Sequence, residues 1–178
     1  DLLAKEAIGY SIRDVRSYTS WNGGRGGYSL LSVTRNIPFG EVIGATPDGR
    51  KAGVPTAEGC SPTQGTDVKG PTAAVKSVAK LDHVLCDNGT LLNQKFHPTT
   101  MKDVSGLRKL SALIKTYFDL KGMHIQFNVV SADTLKAAQR HPEAYADLMV
   151  RVAGYSALFT SLDPTAQEDI IRRTEHAL

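Results

Sequence analysis

The sequence predicts an α/β fold, and three observations carry that expectation. Between residues 89 and 152, strand-like and helix-like patterns alternate: strand, helix, strand, helix, strand. Strands separated by helices favour parallel neighbours in one sheet. The chain has 178 residues, 41% of them hydrophobic and 22% charged, which suits a globular domain with a real core.

Each element has its own warrant. Leu2, Leu3 and Ile8 set a helical pattern over residues 1–20 that fades by Ser17. Residues 21–27 follow as a glycine-rich loop, read as a flexible connector. Its spacing fits neither a P-loop nor GxGxxG, and no capped helix follows, so a phosphate cradle is not supported. Residues 28–37 are a strand candidate through Leu30, Leu31 and Val33. Residues 40–71 are turn-rich; Pro47 and Gly49 suit a type I turn over residues 46–49. A stretch this long without periodicity points to function or to wrapping a larger body.

Residues 72–80 read as a helix, and residues 89–96 as a strand stopped by His97-Pro98. Leu107, Leu110, Leu113, Ile114, Tyr117 and Phe118 form the apolar stripe of an amphipathic helix ending at Gly122. Met123, Ile125, Phe127 and Val129 then alternate with His124, Gln126 and Asn128, giving a strand with one apolar and one polar face. Ser131 is the cap of a helix reaching Gln139, which His141-Pro142 breaks. Residues 148–152 read as a β-branched strand, and Asp163-Pro164 opens the last helix.

Net charge is +3 with both signs interspersed, and no basic run carries interleaved aromatics, so nucleic acid is not an expected partner. No apolar stretch is long enough to span a membrane, and no signal peptide is visible. Cys60 and Cys86 lack metal-type partners and point to a reducing, cytoplasmic setting. The five histidines have no carboxylate partners at ligand spacing, so no metal site is expected. The chain begins at Asp1 within an uncapped helical pattern, and it is expected to be a piece of a longer protein.

Gly154 is the residue that needs explaining. It stands between the apolar runs at residues 148–152 and 157–162, where a glycine costs backbone entropy and adds no packing. A tight turn with positive φ is one reading. The other is that this Cα must carry no side chain for chemical reasons.

The run RVAGYS at residues 151–156, with the helix-like DPTAQEDIIRRTEHAL after it, resembles the glycyl radical enzymes. So do GATPDGRKAG, AEGCSPTQGTD, GPTAAVKSVAK and NGTLLNQKFHP, which extend the resemblance from about Gly40 to the end of the chain. RVAGYS with HIQFNVV is closer to the diol, amino-alcohol or hydroxyproline dehydratases and the decarboxylases than to pyruvate formate-lyase. The resemblance implies that Gly154 stores a radical. Without a Cβ, the Cα can flatten and delocalise its unpaired electron between the amide nitrogen and the carbonyl. Arg151, Tyr155 and Ser156 match the motif but are assigned no chemistry.

The resemblance further implies the C-terminal part of a ten-stranded β/α barrel of the pyruvate formate-lyase type, with a glycine-radical loop over residues 150–160 and a C-terminal helix. Residues 1–39 would end the preceding barrel region, and residues 40–178 would form the glycine radical domain. It implies anaerobic cleavage or elimination on a small molecule, by a lyase, a dehydratase or a formate C-acetyltransferase-like enzyme. No bound cofactor is implied. The radical would be installed by a radical S-adenosylmethionine activating enzyme. The thiyl cysteine would come from the remainder of the barrel, and the complete enzyme would be a homo-oligomer. A radical-carrying spare part that complements a partner barrel, or a non-catalytic α/β module, are the alternatives.

Cys60 does not fit the thiyl role. Gly59-Cys60 is followed by Ser61-Pro62, whereas the eliminating members carry Gly-Cys-x-Glu, and Cys60 is therefore read as structural in a turn-rich, exposed-looking context. The polar face His124, Gln126, Asn128 suits either a cavity lining or a solvated edge. His97 reads as a loop residue. Glu168, Asp169, Arg172, Arg173 and Glu175 are expected to form a solvated face of the last helix.

Overall fold

The computed structural model describes residues 1–177. In chain order its main elements are α1 (Leu2–Ser17), α2 (Asn36–Val42), α3 (Pro71–Val78), β1 (Asn93–Phe96), α4 (Val104–Asp119), β2 (Gln126–Val129), α5 (Ala132–Arg140), β3 (Met149–Arg151), β4 (Ser156–Leu158), α6 (Pro164–Arg172) and β5 (Glu175–His176).

The alternating pattern does build a parallel sheet. β1 pairs with β2 in parallel, Asn93 opposite Gln126 and Lys95 opposite Asn128, and α4 makes the crossover between them. Asp103 starts α4 by accepting a hydrogen bond from the Gly106 amide at 2.7 Å, and Leu113 and Tyr117 are its buried face. The helix stops at Asp119, short of the expected Gly122, and Lys121 takes the left-handed conformation at φ +70°. Gly122 is needed for another reason: a Cβ there would come within 2.2 Å of the Tyr117 ring.

The third strand is not the expected one. Residues 148–152 do not join the sheet; β3 pairs antiparallel with β4 in a separate hairpin. The sheet order is β2-β1-β5, completed by the short tail strand β5 beside β1. A three-residue strand that turns back within four residues lacks the long crossover that a parallel neighbour requires. Residues 28–37 also differ from expectation, making only an isolated parallel bridge between Leu30 and Thr90 before α2 begins.

The sheet separates two apolar clusters. Leu92, Phe96, Leu113 and Tyr117 pack with Val75 and Val78 of α3 on one side. Leu91, Val150, Val152, Ala153 and Phe159 pack with Leu135 of α5 and Ile170 and Ile171 of α6 on the other. Adjacent leucines at 91 and 92 therefore serve opposite faces, as the pleat demands. The turn-rich stretch gets its order from polar contacts: Gly49 closes the expected turn onto the Thr46 carbonyl, and buried Arg50 donates to carbonyls of Ile43, Gly44 and Val54.

The charged face of the last helix is only half solvated. Glu168 and Arg172 are exposed, but Asp169 and Arg173 are buried and paired at 3.3 Å, and Glu175 lies beyond the helix in β5. Asp169 also accepts from Asn36 at 3.2 Å and from Gln64 at 2.5 Å, so one carboxylate joins α2, the turn-rich stretch and α6. The 3.6-residue period explains the split, since positions four apart share the inward face. Removing that carboxylate leaves Arg173 buried without its ion-pair partner. Asp169→Ala should therefore cost about 3 kcal/mol, read as lost amide-exchange protection across α6 and β5 in the complete protein; protection within twofold of the parent would contradict the pairing.

Cys60 is held by the start of the sheet. Its amide donates to the Leu91 carbonyl at 3.0 Å and its thiol donates to the same oxygen at 3.1 Å. Burial, reinforced by the nearby Glu58 charge, pushes the thiol up to about 12. The thiolate is then about one part in ten thousand at pH 8. Cys60 should resist iodoacetamide in the native protein and react on unfolding; native alkylation at the rate of a free cysteine would overturn this environment.

Candidate functional site

The hairpin β3–β4 carries Gly154 at its tip. Arg151 pairs with Ser156, and the turn between them is closed by the Val152 amide donating to the Tyr155 carbonyl at 2.9 Å. Val152 and Ala153 point into the core, while Gly154, Tyr155 and Ser156 are exposed. Gly154 has φ +81°, the left-handed region that an L side chain resists. An added Cβ would meet Leu91 Cδ1 at an ordinary 3.7 Å, so conformation and not space selects glycine here.

The hairpin is clasped by polar side chains from the sheet beneath it. Asn128 makes two bonds to the Arg151 backbone, accepting from its amide at 2.8 Å and donating to its carbonyl at 2.7 Å. Asn93 donates to the Val152 carbonyl at 3.3 Å. Gln126 Oε1 accepts from the Gly154 amide at 3.2 Å and from Arg151 Nε at 3.0 Å. The Arg151 guanidinium continues to Ser156 Oγ at 3.2 Å, tying the two sides of the hairpin. Arg173, beyond α6, adds a bond to the Arg151 carbonyl at 3.4 Å.

Strand register places these groups together. Asn93 and Gln126 are direct partners on adjacent strands, and Asn128 follows two residues after Gln126 on the same face. The polar face of β2 is thus neither solvated nor lining an open cavity at Gln126 and Asn128, both of which are buried. The Gln126 amide nitrogen donates to Asn93 Oδ1, and Asn93 Nδ2 donates to Glu58. Glu58 is 2% exposed; burial raises its pKa, partly offset by the Arg173 charge and by hydrogen bonds from Asn93 and Ser61.

Other candidates lie outside this chain of bonds. His124 is half-buried, and burial followed by the Arg151 charge pushes its pKa down. His97 caps a short turn, accepting from the Thr99 amide at 3.2 Å, as a loop residue does. Cys86 is buried, with its thiol 3.5 Å from the Asp82 carbonyl. Among the described residues no cluster of three or more His, Cys, Asp or Glu side chains could hold a metal ion. Nor is any described helix long and apolar enough to cross a membrane.

Periodicity alone did not reach Glu58, Asn93 or Arg173. Asn93, Gln94 and Lys95 are consecutive polar residues in a strand that is buried throughout. That run, flanked by Leu92 and Phe96, is the signal that the strand serves a polar purpose.

Comparison with known proteins fits this geometry. The glycine radical family model matches residues 56–160, which contain Glu58, Asn93, Gln126 and the whole hairpin. The chain is 49% identical over 185 residues to the probable dehydratase YbiW of Escherichia coli, covering 100% of this chain and 23% of that protein. It is 43% identical over 175 residues to trans-4-hydroxy-L-proline dehydratase of Clostridioides difficile, covering 98% of this chain and 22% of the relative. The solved B12-independent glycerol dehydratase from Clostridium butyricum superposes with a TM-score of 0.96 at 55% identity, over 99% of this chain and 22% of that one. The chain thus spans less than a quarter of the length of each of these proteins. It belongs to the glycine radical family.

Proposed function

We propose that the chain is the C-terminal, radical-bearing portion of a glycyl radical enzyme, and that Gly154 stores the radical. The observation that carries the reading is a glycine, inside the family match, in the exposed turn of a hairpin that side chains from two parallel strands hold at Arg151, Val152 and Gly154. A stored radical needs a fixed position relative to its reaction partners and a Cα that another molecule can reach. Tyr155 is exposed beside the glycine, Met149 and Leu158 are exposed where they pair at the other end of the hairpin, and the 56% exposure of Met149 suits a surface that further chain covers. In this reading residues 40–178 are the radical domain with its loop at 150–160, and residues 1–39 end the preceding barrel region. The β2-β1-β5 sheet is then one part of the ten-stranded barrel.

The chemistry follows from the glycine. A hydrogen atom leaves the Gly154 Cα, taken by a radical S-adenosylmethionine activating enzyme. The Gly154 radical later regains a hydrogen atom from a cysteine thiol in the remainder of the barrel, breaking S–H and forming Cα–H. The thiyl radical so formed removes a hydrogen atom from a carbon of the substrate. The dehydratases among the relatives favour a small hydroxylated molecule that then loses water. Cys60 is read as structural and not as the thiyl cysteine, because Ser61-Pro62 follows it where the eliminating members carry x-Glu, and its half-buried thiol is bonded to the Leu91 carbonyl. The free cysteines suit a reducing compartment, and the reading places the enzyme in the cytoplasm, as a homo-oligomer when complete.

The test uses the complete protein, activated without oxygen and examined by electron paramagnetic resonance. The parent should give an organic doublet signal, and Gly154→Ala should give none. That variant should still fold, because its Cβ has room and its left-handed φ costs about 1–2 kcal/mol. A signal of parental strength from folded Gly154→Ala would place the radical elsewhere.

A further inference from the structure

We propose that Gln126 is a positioning residue that prolongs the life of the Gly154 radical by fixing the amide on its electron-donating side. The inference rests on the radical reading above and assigns a part to a side chain that touches Gly154 without touching the reacting hydrogen.

The orientation of Gln126 is forced. Its Oε1 faces two donors, the Gly154 amide at 3.2 Å and Arg151 Nε at 3.0 Å. Turning the carboxamide over would set Nε2 against both, donor against donor. Its Nε2 in turn donates to Asn93 Oδ1. Asn93 cannot turn over either, because its Nδ2 serves the Glu58 carboxylate and, at 3.3 Å, the Val152 carbonyl. A buried carboxylate thus sets the direction of Asn93, Asn93 sets that of Gln126, and Gln126 presents an acceptor to Gly154. Gln126 is 6% exposed and Asn93 8%, so water competes little for these bonds.

An acceptor at this point has an electronic and a geometric consequence. The amide nitrogen of a glycyl radical donates density to the half-filled Cα orbital while the carbonyl withdraws it. Hydrogen bonding of the N–H to Oε1 polarises that bond toward nitrogen and strengthens the donating partner. Delocalisation across both neighbours also needs the two peptide planes flanking Cα to become nearly coplanar. At φ +81° they are not. Gln126 pins the plane on the Ala153 side, whose residue is buried, whereas Tyr155 on the other side is exposed. The carbonyl side can therefore rotate into line while the donor side stays held.

The test compares Gln126→Met, which removes the acceptor at similar volume, with Gln126→Glu, which keeps it, in the complete protein activated without oxygen. Paramagnetic resonance reads the splitting from the remaining Cα hydrogen and the anoxic half-life of the signal. Gln126→Met should alter the splitting and shorten the half-life about fivefold, the factor of one net hydrogen bond. Gln126→Glu, buried and protonated so that one oxygen accepts from Gly154 while its O–H donates to Asn93 Oδ1, should keep the parental splitting and a half-life within about twofold of it. Should Gln126→Met fail to fold, Gln126→Asn applies the same test, since one methylene less withdraws the oxygen from Gly154 and must produce the same two changes. A folded variant without the acceptor that keeps both splitting and half-life overturns the proposal, even where its thermal midpoint falls. A parent protein with no glycyl signal overturns the radical reading and this inference together; a parental signal with unchanged variants overturns this inference alone.

Discussion

The hydrogen bond between the carboxamides of Asn93 and Gln126 holds the rest of the site in place. It runs between neighbouring parallel strands, on the face that looks toward the hairpin. Each carboxamide makes two further bonds: Asn93 Nδ2 donates to Glu58 and to the Val152 carbonyl, and Gln126 Oε1 accepts from Arg151 Nε and from the Gly154 amide. Asn93 spends its second amide hydrogen on the hairpin backbone and Gln126 its oxygen on Gly154. Substituting apolar side chains here would satisfy packing and leave the Val152 carbonyl and Gly154 amide without these partners. A loop at the edge of a domain is ordinarily mobile because few buried bonds hold it. This one is held by several, all reaching it from below.

The same economy explains the polar interior. Glu58 is buried because it orients Asn93, and the Arg173 charge eases that burial while its guanidinium also reaches the Arg151 carbonyl. Asp169 closes the circuit by pairing with Arg173 and gathering Asn36 and Gln64. Ion pairs this deep contribute little net stability against apolar replacements. Their value lies in geometry, since they join the turn-rich stretch, the last helix and the hairpin around one point.

Much of this was legible in the sequence, and the failures have physical causes. The patterns of residues 89–139 predict β1, α4, β2 and α5; one-face burial writes α4, β2 and α5 as period 3.6 or 2, while β1, buried throughout, is marked by its stop at His97-Pro98. The caps at Ser131 and Asp163 sit where expected, each accepting an amide hydrogen bond from the first turn. Residues 148–152 are extended, as their β-branched pattern predicts, but the pattern does not predict a hairpin, since apolar character marks burial and is silent about the partner strand. The family resemblance pointed to Gly154 as an expectation, while periodicity left open whether Gln126 and Asn128 faced water. Strand register against Asn93 closes that question, and register is a tertiary fact. Local pattern predicts Asp169 and Arg173 in solvent, where charged residues usually lie; a buried partner 133 positions away, Asn36, is invisible to it.

The central claim is that Gly154 bears the radical, and its Cα is the point where oxygen should break the chain. The complete protein, activated without oxygen and then exposed to air, should yield by mass spectrometry a short C-terminal piece beginning near Tyr155, absent from unactivated protein treated the same way. An intact chain after activation and air exposure, with no organic radical signal beforehand, would contradict the account and leave Gly154 a turn residue selected by its positive φ.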